Sequence, residues 1–317
     1  MFARRPTRLI VDRATIAANT AIVRARLSPG TQLMAVVKAN GYGHGAIESA
    51  RAAIAGGASH LGVATVTEAR ELRTAGFDTP ILVLGSSAPE EAYTAAALAI
   101  SIGVGDLDQF GRLQQLLRAR PPLRPLAAHL KIDTGMRRFG VTPSQAPLLA
   151  QQISLDPNFQ FEGVYSHFAE SDGPASDRMD QHLDLFLRTL AAIDRLGIDR
   201  GLAHISNSGA VLRNRSADLE MVRAGTCLYG ISPSEHVSLW DGMRPALEWR
   251  ATVQHIAELA PGDRVGDGGT YVASEHERIA LLPVGYADGY PRLLSNLGWA
   301  GYQSHRLPIR GRISMDQ

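Results

Sequence analysis

Leu33-Met34-Ala35-Val36-Val37-Lys38-Ala39-Asn40-Gly41-Tyr42-Gly43-His44-Gly45 is the stretch on which the reading of this chain turns. Its first five residues are apolar, with the length and texture of a buried strand. The run ends on Lys38, and a glycine-rich polar loop begins at once. Burial disfavours an ammonium, so a lysine closing such a strand has a lowered pKa and a more accessible neutral amine. A neutral amine at the mouth of a fold is what Schiff-base chemistry with an aldehyde needs. The ordinary reading of a strand-end lysine is a stem lying on apolar surface with its charge in water. Tyr42 and His44 weigh against that reading, because they follow in a loop that Gly41, Gly43 and Gly45 leave free to turn tightly.

Outward from this stretch, strand-like and helix-like segments alternate to about residue 232. Apolar runs at 61–64, 81–84, 99–104, 127–132, 161–166, 202–205 and 221–228 are short and nearly continuous. Parallel strands buried on both faces have that texture. The clearest helix covers 178–196, where Met179, Leu183, Phe186, Leu187 and Leu190 recur at three- and four-residue spacing. Asp177 is its expected N-cap and Gly197 its expected C-cap. Eight strand–helix units predict an α/β fold, a (β/α)8 barrel, over residues 1–240. Doubly wound sheets share the local pattern, so periodicity alone leaves that alternative open. Past residue 240 the runs at 249–259, 279–284 and 307–313 are separated by Pro, Gly and Asp turns without long helices. They predict a smaller all-β domain over 241–317.

Composition narrows the function classes. The chain has 317 residues, 45% hydrophobic and 20% charged, enough for a sizeable core. Its 32 basic and 31 acidic residues nearly cancel, which gives no reason to expect nucleic acid or an anionic membrane as partner. The single cysteine, Cys227, rules out an internal disulfide framework and fits a reducing cytosol. The basic N-terminus has no apolar run behind it to make a signal peptide, and no run approaches the roughly 18 residues that span a bilayer. A cytoplasmic protein is expected.

Polar residues gather at or just past the expected strand ends: Lys38, 131–138, Ser166-His167, 206–208 and 223–226. Barrel active sites form there. His167 and His204 each close a strand, with no cysteine or carboxylate at ligand spacing, so no zinc site is expected. Neither G-x-x-x-x-G-K-[ST] nor G-x-G-x-x-G after a strand occurs, which argues against nucleotide sites.

The block at 33–45 resembles the cofactor-lysine motif of alanine racemases, isomerases that use pyridoxal 5'-phosphate (PLP) on a barrel. Similar blocks run along essentially the whole chain. The resemblance implies that Lys38 holds PLP and serves as a catalytic base, with Tyr42 reaching the phosphate. Leu130-Lys131-Ile132-Asp133-Thr134-Gly135-Met136-Arg137-Arg138 resembles the block whose second arginine, here Arg138, contacts the substrate carboxylate and the cofactor's phenolic oxygen. A guanidinium suits a carboxylate because it binds bidentately. Lys131 stands where the family often carries a carbamylated lysine, whose negative charge would hold Arg138; Arg137 reads as a solvated loop residue. His167 would orient a catalytic phenol, and His204 would bond the arginine beneath the cofactor ring. Asn207 and Ser208 would lie near the phosphate. In Val222-Arg223-Ala224-Gly225-Thr226, Arg223 would face the pyridine nitrogen, with backbone N–H groups of Gly225 and Thr226 toward the phosphate. Arginine does not protonate that nitrogen as an acid would, which favours a simple proton swap over transamination or decarboxylation.

Two blocks of the second domain, 284–290 with Tyr286 and 311–317 with Met315 and Asp316, also resemble racemase blocks. Met315 and Asp316 would enter the active site of a partner subunit, which implies a homodimer with one barrel mouth facing the other copy's β domain. Two departures stand out. In Val265-Gly266-Asp267-Gly268-Gly269-Thr270-Tyr271 the family carries, at the position of Asp267, the tyrosine that is the second base. A carboxylate is shorter than a phenol, and its pKa of about 3.9 compares with about 10 for tyrosine. Tyr271 is a candidate stand-in, although the family usually has a merely structural aromatic there. The other departure is the chain end at Gln317, where the family continues with a C-terminal strand and a further phosphate-binding tyrosine. An incomplete β domain with an unpaired sheet edge is expected.

The activity so implied is interconversion of L- and D-alanine by two bases, supplying D-alanine for peptidoglycan. The enzyme alternatives are a racemase of broader substrate range and a PLP-binding homologue impaired by Asp267. The single-barrel PLP homeostasis proteins share the lysine loop but lack the blocks around Tyr286 and Met315.

Overall fold

The apolar runs read from the sequence become one eight-stranded parallel sheet in the computed structural model, which describes residues 6–213 and 217–317. A further strand, β1 (Thr7–Val11), precedes it in the chain. The sheet's strands are β2 (Gln32–Val36), β3 (His60–Val63), β4 (Ile81–Ser86), β5 (Ile100–Val104), β6 (Leu126–Lys131), β7 (Phe159–Tyr165), β8 (Leu202–His204) and β9 (Met221–Ala224). They pair in the order β8-β7-β6-β5-β4-β3-β2-β9. Registers such as Ala35↔Leu61 and Leu33↔Val222 place β2 between β3 and β9. The two end strands are stitched together where the Arg223 N–H donates to Ser206 O at 3.0 Å, so the sheet curls into a barrel. All of Leu33, Met34, Ala35, Val36 and Val37 are buried, which accounts for a continuous apolar run rather than an alternating one.

The helix read at 178–196 forms over Arg178–Asp194 and buries Met179, Leu183, Phe186, Leu190 and Ile193. Leu187 is the exception, 42% exposed on the outer flank of the stripe. Asp177 caps no backbone N–H; its carboxylate accepts from the Gln181 side chain instead. Gly197 does take the left-handed conformation expected after a helix end, with φ +71°. The run at 221–228 is a strand only to Ala224, because the Gly225 N–H bonds to Ser208 Oγ and the chain then coils into a 3-10 turn, Thr226–Tyr229.

Two compact units result. Asp12–Ala246 forms the barrel, and Leu247–Gln317 forms an all-β unit that also contains β1. The N-terminal strand, absent from the sequence reading, belongs to the second unit because it zips antiparallel to β10 (Leu247–Ala251), with Leu9 opposite Trp249. The single run expected at 249–259 splits into β10 and β11 (His255–Leu259), since β10 pairs with β1 while β11 pairs with β14 (Glu277–Leu281). Between these lie the short strands β12 (Arg264–Val265) and β13 (Tyr271–Val272), paired with each other. The hairpin β15 (Trp299–Tyr302) and β16 (His305–Pro308) follows, so the last run ends five residues earlier than its apolar pattern implied.

Candidate active site

Lys38 leaves the end of β2 and enters a left-handed turn. Ala39, Asn40 and Gly41 have φ/ψ of 51°/51°, 52°/47° and 62°/41°, and Tyr42 and Gly43 also have positive φ. Each non-glycine residue there costs about 1–2 kcal/mol, so the surroundings must hold the turn. Glu68 does much of this: its two carboxylate oxygens accept from the Ala39 and Ala64 N–H groups, each at 2.7 Å. Asn40 Oδ1 accepts from the Ala46 N–H, and buried His44 donates from Nδ1 to the carbonyls of Gly41 and Tyr42. Gly41 is fixed sterically as well, because a Cβ there would lie 2.8 Å from Ser49 Oγ. The sequence reading missed Glu68. Its signal was the pattern Thr65-x-x-Glu68 at a helix start, half of which is made, since Thr65 Oγ1 accepts from the Glu68 N–H. The carboxylate is diverted to the lysine turn.

This setting tunes the amine. Burial pushes the Lys38 pKa below its usual value; the Arg138 and Arg223 guanidinium groups push the same way, and Glu68 opposes them. Lys131, at the end of β6, is more deeply buried. Desolvation, then Arg223 and Arg138, bring its pKa to about 7, and its Nζ sits 4.6 Å from the centre of the Tyr165 ring. Arg138 lies exposed in the loop after β6, close enough to act on Lys38, Lys131, Tyr165 and His167. Arg137 is exposed too, as the loop reading expected.

Arg223 is buried at the centre of the group. Its Nη2 donates to Ser166 O (2.8 Å) and Ile205 O (3.1 Å), and its Nη1 donates to His204 Nδ1 (2.9 Å). The Tyr165 ring stacks on His204 with 5.1 Å between centroids, a contact the sequence reading had not singled out. Desolvation lowers the Arg223 pKa only to about 10, so it stays charged near neutrality. His167 faces two donors, Arg223 Nη2 at 3.3 Å and Asn207 Nδ2 at 3.2 Å, and a neutral ring accepts from only one. Asn207 cannot flip to relieve this, because its oxygen already accepts from Ser171 Oγ and the Ala210 N–H.

A second cluster joins Tyr42, Ser208 and Gly225, with Thr226 next in the chain. The Gly225 N–H donates to Ser208 Oγ at 2.8 Å, and a Cβ on Gly225 would lie 2.6 Å from the Tyr42 hydroxyl. Only glycine leaves the phenol its place. Burial raises the Tyr42 pKa to about 12, so the hydroxyl keeps its proton and remains a donor.

Within the β unit, Tyr286, Met315 and Asp316 come together. The Tyr286 and Ala287 N–H groups donate to the carbonyls of Ser314 and Met315, and a Cβ on Gly285 would meet Met315 O at 2.3 Å. Met315 is 53% exposed and Asp316 is exposed beside it. Asp267 is exposed on a short turn, Asp267–Gly269, flanked by Gly266 and Gly268 at positive φ. The Tyr271 hydroxyl donates to Glu277, and Arg310 lies 4.4 Å over its ring. That hydrogen bond raises the Tyr271 pKa, which suits a structural aromatic and not a stand-in base.

The family description of the alanine racemase N-terminal domain matches residues 11–233, and that of the C-terminal domain matches 246–317. The chain belongs to the alanine racemase family. An alanine racemase of Geobacillus kaustophilus is 40% identical over 317 residues, covering 99% of this chain and 80% of the relative. That of Symbiobacterium thermophilum is 38% identical over 315 residues, covering 99% and 82%. The crystal structure of alanine racemase from E. faecalis superposes with a TM-score of 0.92 at 36% identity, covering 98% of this chain and 83% of that one. Alanine racemases are PLP-dependent isomerases, and their fold, a barrel followed by a small all-β domain, is the one found here.

The residues present fit that cofactor. An amine with a lowered pKa, a phenol that keeps its proton and a serine hydroxyl beside a glycine that admits no side chain form a set suited to an aldehyde bearing a phosphate. The Gly225 N–H, expected to face the phosphate, is given to Ser208 Oγ instead. Among the described residues no group of three or more His, Cys, Asp or Glu could hold a metal ion, and no helix is long and apolar enough to cross a membrane.

Proposed function

We propose that this racemase-family enzyme interconverts L- and D-alanine, with PLP held by Lys38, and supplies D-alanine for peptidoglycan in the cytoplasm. The observation that carries the reading is the amine of Lys38, held at a barrel strand end by a clamped left-handed turn, with its pKa lowered by burial and two guanidinium groups. PLP, when bound, makes the Cα–H of an attached amino acid acidic. Lys38 Nζ would take the α-proton on the D face as a neutral amine and return it as the ammonium so formed. Arg138 holds the substrate carboxylate, and Arg223 stays charged opposite the pyridine nitrogen. Tyr42, Ser208, Gly225 and Thr226 hold the phosphate, with Asn207 and His167 beside them. Lys131 supports Arg138, and His204 supports Arg223. The family's homodimer is the expected assembly, with Tyr286, Met315 and Asp316 serving a second copy's site.

A second reading has a specific observation behind it. At the family's second base this chain has the exposed Asp267, and the neighbouring phenol, Tyr271, is committed to Glu277. On that reading the protein binds PLP and exchanges the α-proton of D-alanine while the L face is slow. Deuterium wash-in at Cα, measured separately from each enantiomer, decides between them. Comparable wash-in from both supports full racemisation, and wash-in from D-alanine alone supports the impaired reading. Faster turnover of serine or lysine than of alanine would overturn the alanine assignment.

A further inference from the structure

Arg223 is the near end of a line of side chains that runs through the barrel interior, and no role in the proposed chemistry has used its far end. His204 Nε2 lies 3.0 Å from His129 Nδ1, and His129 Nε2 lies 3.9 Å from a Glu162 carboxylate oxygen. That last separation is an electrostatic contact and not a hydrogen bond. Ser101 Oγ donates to the same carboxylate at 2.6 Å.

The line has one direction. A guanidinium donates and never accepts, so His204 Nδ1 must carry the lone pair and His204 Nε2 the proton. His129 Nδ1 must therefore accept, which leaves the proton on His129 Nε2, aimed at Glu162. Both rings stay neutral: burial, reinforced by Arg223 among other charges, pushes His129 to about 3 and His204 well below its ordinary value. The backbone is shaped to make the line. The pairing of β6 with β7 slips between Ala128 and His129, so that Ala128 opposes Phe161 while His129 opposes Gly163, and Glu162 is the extra residue. Bulges of this kind re-aim side chains beside functional sites. A Cβ on Gly163 would lie 2.3 Å from His129 Nδ1, so this ring position requires glycine opposite. Glu162, Ser101, His129 and His60 line a cavity of about 200 Å³ with the first residues of several strands, which puts the far end at the N-terminal end of the barrel.

We propose that Glu162 and His129 are positioning residues that fix His204 as an acceptor and so hold the charged guanidinium of Arg223 in place at the cofactor site. The inference rests on the reading that Arg223 faces PLP.

The test is ring ¹⁵N NMR of histidine-labelled protein, without cofactor and loaded with PLP, alongside kinetics of Glu162→Gln and Glu162→Leu. In the unaltered protein His129 and His204 should both be neutral with the proton on Nε2, and a proton on Nδ1 of either ring overturns the proposal. Loss of the carboxylate should shift the His204 ring signals and the bound-cofactor absorbance, although Glu162 touches neither. It should also lower kcat about three- to tenfold with KM for alanine within about twofold. Unchanged His204 signals and unchanged kcat in both variants would sink it. If no Lys38-dependent cofactor absorbance appears at all, the PLP reading fails, and the tautomers of the cofactor-free protein still decide the line.

Discussion

The turn after Lys38 and the turn at Asp267 hold the two positions proposed for proton exchange, and they are built in opposite ways. Around Lys38 three non-glycine residues with positive φ are clamped by Glu68, Asn40 and His44, and burial with nearby positive charge lowers the pKa of the amine. Around Asp267 the chain is exposed and eased by glycines, and Tyr271 is tied to Glu277. A catalytic pKa has to be built from surroundings; side-chain type alone does not supply it. Lys38 has such surroundings, and Asp267 has none of them.

The largest expected effect breaks the Lys38 side of this contrast. Lys38→Ala should remove the protein-bound cofactor absorbance and lower α-proton exchange from D-alanine by about 10⁴-fold. Absorbance that survives the substitution would refute the cofactor lysine. Repair of the other side comes next. Asp267→Tyr, in a chain extended to the length of its relatives, should raise L-to-D turnover by about 10²- to 10⁴-fold, since a phenol reaches further and its conjugate base is stronger. His167→Ala should then erase most of the gain, and Tyr271→Phe should leave it intact. A silent Asp267→Tyr together with a dead Tyr271→Phe would move the second base to Tyr271.

A smaller effect tests whether buried cations set the tone of the barrel mouth. The Lys131 pKa is lowered to about 7 from 10.5, so between those values the unfolded chain binds a proton that the native state does not. Stability contributed by this site should therefore rise with pH from about 7 to about 10.5. Thermal unfolding should show the unaltered protein gaining stability relative to Lys131→Met over that range, as the penalty of the buried ammonium is relieved, and a pH-independent difference would contradict it. The same free amine should take up ¹³C-labelled carbon dioxide above pH 7, as the resemblance to carbamylated relatives implies. The smallest effect is expected from Glu68→Gln. An amide accepts at one of the two N–H groups and drops the charge, so stability should fall by about 1–2 kcal/mol. The alkaline rise of the D-face exchange rate should shift to lower pH, because Glu68 opposes the lowering of the Lys38 pKa.

Much of this contrast was legible in the chain before folding. A parallel strand covered on both faces must be continuously apolar, so Leu33 to Val37 announced a buried strand and made the lysine at its end conspicuous. Asp267 was visible as a departure because a motif is a matter of residue type and order. The strand Thr7–Val11 was missed, since five residues with two polar ones have no pattern until β10 pairs with them. Leu187 and Asp177 were misjudged because spacing marks a helical face to within a residue and a cap is fixed only by geometry.

By itself the sequence determined the alternation of strands and helices, the β unit after it and a lysine closing a buried strand, because these follow from local composition and the order of residue types. The barrel and the departure at Asp267 came from the resemblance to the family. Only the tertiary structure decided that Glu68 clamps the lysine turn, that Tyr271 is committed to Glu277, and that Arg223, His204, His129 and Glu162 form one directed line. Proton positions and pKa values depend on distances between groups far apart in the chain, and those distances exist only once the strands have closed around them.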